Sequence, residues 1–81
     1  MNELKDMIIN LFRLEPYSLA RYNLASRIQN KENELGLRTN YYNLDIENKT
    51  VKCDLLKKVK GLYETIDTFN INDIRIFERN G

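Results

Sequence analysis

The segment from Tyr41 to Cys53, YYNLDIENKTVKC, is where the hydrophobic pattern of the chain changes from helical spacing to alternation. Apolar residues alternate with polar ones on both sides of a polar break: Tyr42, Leu44 and Ile46 before it, Val51 and Cys53 after it. Alternation of this kind is typical of strands that bury one face. The segment therefore predicts a β-hairpin, with a turn at Asn48-Lys49 or a longer loop from Glu47 to Thr50.

Either turn gives this hairpin the same register. The predicted cross-strand pairs are Ile46 with Val51, Leu44 with Cys53, and Asp45 with Lys52. This register brings apolar side chains together on one face and opposite charges together on the other. At the start of the hairpin we expect Tyr42 in the core and Tyr41 outside.

Before the hairpin, the chain shows the spacing of an amphipathic helix. Its apolar stripe consists of Leu4, Met7, Ile8, Leu11 and Phe12. Asn2 is a suitable N-cap for this first helix. Pro16 disfavours helical conformation at Glu15, so we expect the helix to end near Leu14.

A second helix is predicted to begin at Ser18, which is a favourable N-cap. Tyr17 before the cap and Tyr22 inside the helix are placed as a hydrophobic staple. Leu24, Ala25 and Ile28 form a short stripe, but the following segment 29–34 is polar throughout. The helix either breaks near Asn30 or continues to Leu35, where Gly36 is a good C-terminal stop.

After the hairpin, Asp54 is a plausible N-cap for a third helix that reaches Asn70. Its apolar positions at helical spacing are Leu55, Leu56, Val59, Leu62, Tyr63, Ile66 and Phe69. Gly61 inside this helix costs roughly 1 kcal/mol relative to alanine. The alternation of Ile74 and Ile76 with Arg75 then suggests a last strand. The sequence thus predicts one α+β domain over residues 1–81, in the order α-α-β-β-α-β, with helices packed on a short antiparallel sheet.

The chain lacks most of the residues on which catalysis depends. It has one cysteine, Cys53, and no histidine among its 81 residues. The commonest general base is therefore missing, and Ser/His or Cys/His nucleophile pairs, Cys/His zinc sites and internal disulfides are excluded. The three glycines are too far apart for a phosphate-binding loop. These absences predict a non-enzymatic protein that carries no cofactor or metal.

One cluster on the hairpin has chemical interest. Asp45, Glu47 and Lys49 form an acidic-x-acidic-x-lysine pattern of the kind that holds a divalent metal through oxygen ligands in some nucleases. Such enzymes need a larger sheet and a further acidic residue, and alternating charges are typical of any solvated hairpin face. We therefore interpret the cluster as a solvated face. Cys53 is expected to point inward as an inert, buried thiol.

The composition indicates the cellular compartment and the type of genome more clearly than it indicates a binding partner. The chain has 13 basic and 12 acidic residues, a net charge of +1, which is well below the balance of a dedicated nucleic-acid binder. The charged, amphipathic start is unlike a signal peptide or a membrane span, and the lone thiol suits a reducing compartment, so we expect a cytoplasmic protein without membrane contact. Abundant asparagine, isoleucine and lysine with scarce alanine are typical of AT-rich genomes, such as low-GC bacteria, their phages and plasmids, or some archaeal viruses.

Positive charge is concentrated in the second helix and its continuation. The basic residues there are Arg21, Arg27, Lys31 and Arg38. A basic helix after a tight helical corner, followed by a hairpin, resembles a winged-helix layout in outline. These four residues are therefore candidates for binding nucleic acid, although a solvated helix face explains the same charges. An exposed Tyr41 is a candidate anchor for a protein or for a base.

By elimination, the leading expectation is a small phage or mobile-element protein that binds and modulates or inhibits a larger host or defence protein. The alternative is a small dimeric DNA- or RNA-binding regulator. A chain of this size buries only about 60–65% of the surface of its unfolded form, so association would add to a small core. We therefore expect a protein partner and a homo-oligomer, most simply a dimer.

Overall fold

The chain folds into two helices followed by three antiparallel strands, as a computed structural model that describes residues 2–75 shows. The elements are α1 (Asn2–Arg13), α2 (Leu19–Leu35), β1 (Leu37–Asp45), β2 (Thr50–Val59) and β3 (Leu62–Ile71). The strands form one sheet in the order β1-β2-β3, with β2 in the centre. The predicted α+β class with an antiparallel sheet and a hairpin is confirmed.

The first helix buries the predicted apolar stripe. Leu4 and Ile8, one turn apart, have no exposed surface, and Met7, Leu11 and Phe12 pack partly buried against the core. The helix ends at Arg13, three residues before Pro16. Leucine and isoleucine at this spacing place one continuous apolar face against the sheet, which fixes the orientation of α1.

The second helix begins and ends with the predicted caps. The Ser18 hydroxyl accepts a hydrogen bond from the Arg21 backbone N–H at 3.1 Å. Gly36 has a left-handed φ of 67°, and its N–H donates to the Glu32 carbonyl. The helix is therefore continuous through Asn30, which the sequence left open. Its polar segment stays helical because the cap at Gly36 satisfies the last turn.

The predicted hairpin is present, but its predicted register is wrong. Tyr41 lies opposite Cys53, and Tyr42 opposite Lys52, whereas Asp45 lies opposite Thr50 after an irregularity in the pairing. Residues 46–49 form the turn. Both Asp45 oxygens accept hydrogen bonds from Asn48, which closes a turn four residues long. The carboxylate of Asp45 thus places the four-residue turn one residue earlier than the predicted loop from Glu47 to Thr50.

The shifted register places Tyr41 and Tyr42 on the faces of the sheet opposite to those predicted. Tyr41 faces the helices, where its ring meets the edge of the Phe12 ring at a centroid distance of 4.9 Å. Tyr42 lies on the other face of the sheet, and its hydroxyl donates to Asp54 at 2.9 Å. This hydrogen bond raises the pKa of Tyr42. Tyr42 therefore lies outside the core, contrary to expectation, because the irregularity before Asp45 inverts the alternation upstream of it. Tyr41 faces the helices but remains 38% exposed.

The predicted third helix is wrong as well, because the segment 54–70 forms most of β2 and β3. Lys60 and Gly61 both have positive φ, 51° and 83°, and connect Val59 to its partner Leu62 in a two-residue turn. Positive φ at both central residues is the geometry of a tight hairpin turn. The glycine that a helix would merely tolerate is therefore the residue that reverses the chain.

The C-terminal part differs from the predicted strand. Ile74 is buried at 3% exposure but lies outside any strand, as does Arg75. The Ile74 N–H donates to the Lys49 carbonyl at 3.1 Å, and the Arg75 N–H donates to the Phe12 carbonyl at 2.6 Å. Ile76 lies outside the described residues. The segment after β3 therefore crosses back to α1 instead of extending the sheet.

The core lies between the two helices and one face of the sheet. The strand residues that contribute to it are Leu37, Val51, Cys53, Leu55, Phe69 and Ile71, and α2 adds Ile28. The buried positions of β2 alternate, so the intervening side chains lie on the opposite face of the sheet. Within residues 2–75, neither helix is long and apolar enough to cross a lipid bilayer.

Candidate functional site

An apolar cleft lies where α1 ends, α2 begins and the segment after β3 passes between them. We call it the corner cleft. Its volume is about 660 Å³, and its lining includes Phe12, Pro16, Tyr17, Tyr22, Leu44 and Ile74. Clefts of this size accommodate a small ligand or a few side chains of a protein partner.

The walls of the corner cleft expose large apolar side chains. Tyr17 is 87% exposed, Tyr22 is 70% exposed and Leu44 is 58% exposed. Leu19 and Ile46, which lie close to these residues in sequence, are also exposed by more than half. Single exposed apolar residues are normal, but several around one concave site mark an interaction surface.

Arg21 forms the structural link between the elements around the cleft. Its guanidinium lies over the Phe12 ring at 5.4 Å, and its Nη1 donates to the Leu14 and Arg75 carbonyls at 3.2 and 3.3 Å. Arg75 in turn forms an ion pair with Glu15 at 2.8 Å. The cleft therefore combines apolar walls with two guanidinium groups, a pairing that suits an apolar ligand with a neighbouring carboxylate.

The residues proposed from sequence are placed on different surfaces. Arg21 lies in the corner cleft, whereas Arg27 is exposed on α2. Lys31 lies 3.7 Å from Glu3 of α1. Arg38 lies over the ring of Tyr63, on the side of the sheet away from the helices. At this edge of the sheet Arg38 also lies close to α2, since it lines a small pocket together with Gln29, Glu32 and Asn33.

The observed positions of Tyr41 and of the residues that line the corner cleft differ from the positions predicted for them. The Tyr41 ring packs against Phe12, which leaves 38% of the residue exposed. Leu44, expected in the core opposite Cys53, lines the corner cleft instead. Tyr17 and Tyr22 were identified only as a hydrophobic staple. Their position after Pro16 at a helical corner, together with the candidate residue Arg21, is the sequence signal for this site.

In the acidic pattern on the hairpin, Asp45 stabilises the turn between β1 and β2. Asp45 accepts hydrogen bonds from the Asn48 side chain at 2.7 Å and its backbone N–H at 3.0 Å, which lowers the pKa of Asp45. Glu47 and Lys49 are exposed in the same turn. In the part of the chain that the structure describes, no three Cys, Asp or Glu residues are grouped so as to hold a metal ion.

Cys53 is fully buried, as predicted, and this has a measurable consequence. Burial raises the pKa of its thiol from 9.0 to about 12. Because the thiolate is the reactive form, the reactive fraction at pH 8 falls about a thousandfold relative to an ordinary cysteine. We expect iodoacetamide to modify Cys53 at pH 8 only in urea-unfolded protein, as measured by mass spectrometry. Rapid modification of the folded protein would show that this part of the core is open.

Comparison with known proteins gives no assignment. No protein-family model, curated protein or solved structure matches this chain.

Proposed function

We propose that this chain is a non-enzymatic binding module that takes an apolar segment of a larger protein into the corner cleft. The observation that carries this proposal is the cleft of about 660 Å³ between highly exposed tyrosines and Leu44. Tyrosines are enriched at protein interfaces because they offer a large, rigid apolar area and a polar tip. Covering them removes apolar surface from water, the main source of affinity at the centre of an interface.

The charges around the cleft indicate which side chains the partner segment would carry. Arg21 and Arg75 line the cleft, and because Glu15 is paired with Arg75, these three side chains leave one net positive charge beside it. A partner with one or two large apolar side chains next to an aspartate or glutamate would match both properties. We therefore propose an acidic-apolar segment as the ligand.

The residue usage bears on the wider biological role. A stoichiometric module with the residue usage typical of AT-rich genomes suits a cytoplasmic phage or mobile-element protein that modulates or inhibits a host or defence protein. A homodimer is compatible with this role, because a second copy on another surface leaves the corner cleft free. If the second copy covered the cleft itself, the module would be a structural dimer instead.

Selection from a random-peptide display library tests the proposal directly. We expect the full chain to enrich peptides with an aromatic or large aliphatic residue beside an acidic one. Tyr22→Asp should lower their affinity at least tenfold, because it places a carboxylate in the apolar wall. Tyr22 is 70% exposed, so the variant should remain folded.

The matched control for this experiment is Leu62→Asp. Leu62 is 74% exposed but lies in β3 beside the Lys60-Gly61 turn and does not line the cleft. It should leave peptide affinity unchanged. Failure to enrich any peptide, or equal losses in both variants, would contradict the proposed function. A light-scattering mass that changes from dimer to monomer in Tyr22→Asp would instead identify a second copy as the occupant.

A further inference from the structure

A second surface of the molecule differs in character from the corner cleft. It is the face of the sheet away from the helices, which we call the open face. Its side chains come from alternate positions of the three strands: Arg38, Asn40 and Tyr42, then Lys52, Asp54, Leu56 and Lys58, then Tyr63, Thr65, Thr68 and Asn70. The core residues of the strands point to the other side, towards both helices. Within residues 2–75, no element covers the open face.

Contacts between strands confirm that these side chains share one face. The hydroxyls of Tyr42 and Thr68 both donate to the same Asp54 oxygen, at 2.9 and 2.8 Å. At the other end of the sheet, the Arg38 guanidinium of β1 lies 5.2 Å from the centre of the Tyr63 ring of β3. Both contacts span the width of the sheet, so all three strands contribute to one continuous surface.

The charge of the open face is unlike that of the whole chain. Three cations, Arg38, Lys52 and Lys58, lie on it with one carboxylate, Asp54, and the Glu32 carboxylate of α2 lies near Arg38 at its edge. The hydroxyls of Tyr42 and Thr68 already occupy that carboxylate.

The other acids of β3 lie on the helix side of the sheet. Asp67 is opposite the buried Leu55 and lies 3.8 Å from Lys5 of α1. Glu64 is opposite Lys57 in the same register. The near-zero net charge of the chain therefore conceals a basic sheet face.

Aromatic and neutral polar groups complete the chemistry of this face. Tyr63 is 43% exposed, and the Arg38 guanidinium lies over one side of its ring. Nucleic-acid bases stack on tyrosine rings and on arginine guanidinium planes. Lysine side chains attract the phosphates of the same strand. Lys52 and Lys58 are six residues apart, about 20 Å along an extended strand, which suits a strand of about four nucleotides.

We propose that the open face binds single-stranded nucleic acid, with Arg38, Lys52 and Lys58 on phosphates and a base stacked at Tyr63. A single strand fits better than a duplex because its bases expose the flat surfaces that Tyr63 can contact. A twisted antiparallel sheet also offers a shallow, continuous surface and no helix for a major groove. The proposed site shares only Arg38 with the basic residues identified from sequence, and it is independent of the corner cleft.

Fluorescence anisotropy of the full chain with labelled 12-nucleotide oligo-dT and oligo-U, between 25 and 200 mM KCl, tests this inference. Three phosphate contacts predict a slope of about −2 in a plot of log K against log salt. The double variant Arg38→Gln/Lys58→Gln should reduce the steepness of that slope by about 1.4. Tyr63→Ala should weaken binding by about fivefold or more at every salt concentration, because it removes a stacking platform.

The matched control is the double variant Arg27→Gln/Lys49→Gln. It removes two exposed cations from α2 and from the turn between β1 and β2, so the slope and the affinity should not change. Circular dichroism would confirm that all variants are folded. Tyr22→Asp should also bind as the unmodified chain does, which separates this site from the corner cleft.

Several results would overturn the inference. One is no binding of either oligonucleotide at 25 mM KCl. Another is an equal loss in the test and control double variants. A third is equal affinity for a 12-base-pair duplex combined with no effect of Tyr63→Ala, because the face would then be only a diffuse positive patch. Competition by poly-glutamate at a similar charge concentration would identify an acidic protein, and not a nucleic acid, as the ligand.

Discussion

Replacing Leu55 with alanine is expected to lower the free energy of unfolding by about 3 kcal/mol. Leu55 lies in the centre of β2, is 1% exposed, and belongs to the core that the helices cover. Truncation removes buried methyl groups and leaves a cavity, which typically costs about 2–5 kcal/mol. A domain of this length is stable by about 4–12 kcal/mol in total, so the loss is a large fraction of it. Urea unfolding followed by circular dichroism measures the change.

Leu62→Ala is the control for this experiment. Both positions have leucine, and both were predicted to lie on the buried face of one helix. In the structure Leu62 is 74% exposed beside the turn between β2 and β3, so its truncation should change the free energy of unfolding by less than about 0.5 kcal/mol. Similar losses at Leu55 and Leu62 would favour the helical interpretation of this segment and contradict the observed strands.

The segment 54–70 explains why a local pattern was insufficient. Leu55, Leu62 and Phe69 are seven residues apart in series, which is helical spacing, yet Leu55 also continues the alternation from Val51 and Cys53. The decision between these patterns comes from the pairing of β2 with β1 on one side and with β3 on the other, which the pattern of a single segment does not show. Strand propensity depends on such neighbours more than helix propensity does.

The sequence of the turn between β2 and β3 lacks the usual signature of a tight hairpin turn. Lys60 and Gly61 both adopt positive φ, for which asparagine or aspartate followed by glycine is the usual sequence. Lysine at the first position strains the backbone modestly and lacks that signature, so the glycine was interpreted as an interruption within a helix. By contrast, Ser18 and Gly36 have the residue types that caps prefer, and the ends of α2 were predictable from them.

Neither candidate surface could be assembled from the sequence, although some of its residues could be identified. The corner cleft needs Leu44 on the surface, which depends on the irregular pairing before Asp45. The open face needs Tyr63 on a strand opposite Lys58, which the predicted third helix excluded. Arg21 and Arg38 were identified for their charge, but only the fold shows that they belong to different surfaces.

The segment after β3 gives the second large effect, because it links the stability of the domain to its proposed binding site. Ile74 is 3% exposed, and its backbone N–H bonds to the Lys49 carbonyl. Ile74 and Arg75 also line the corner cleft, and Arg75 bonds through its backbone to both Phe12 and Arg21. This segment therefore closes the core on one side and forms a wall of the cleft on the other.

Ile74→Ala is accordingly expected to lower the free energy of unfolding by about 2–4 kcal/mol, as measured by urea unfolding. The same variant, examined at a temperature where circular dichroism shows it folded, should also lose affinity for the peptides selected on the corner cleft. Ile46→Ala is the control, because Ile46 is 65% exposed in the turn between β1 and β2 and should change stability by less than about 0.5 kcal/mol. If Ile74→Ala were as stable as the unmodified chain, the segment would not be docked against α1. The cleft would then lack the wall on which the proposed function depends.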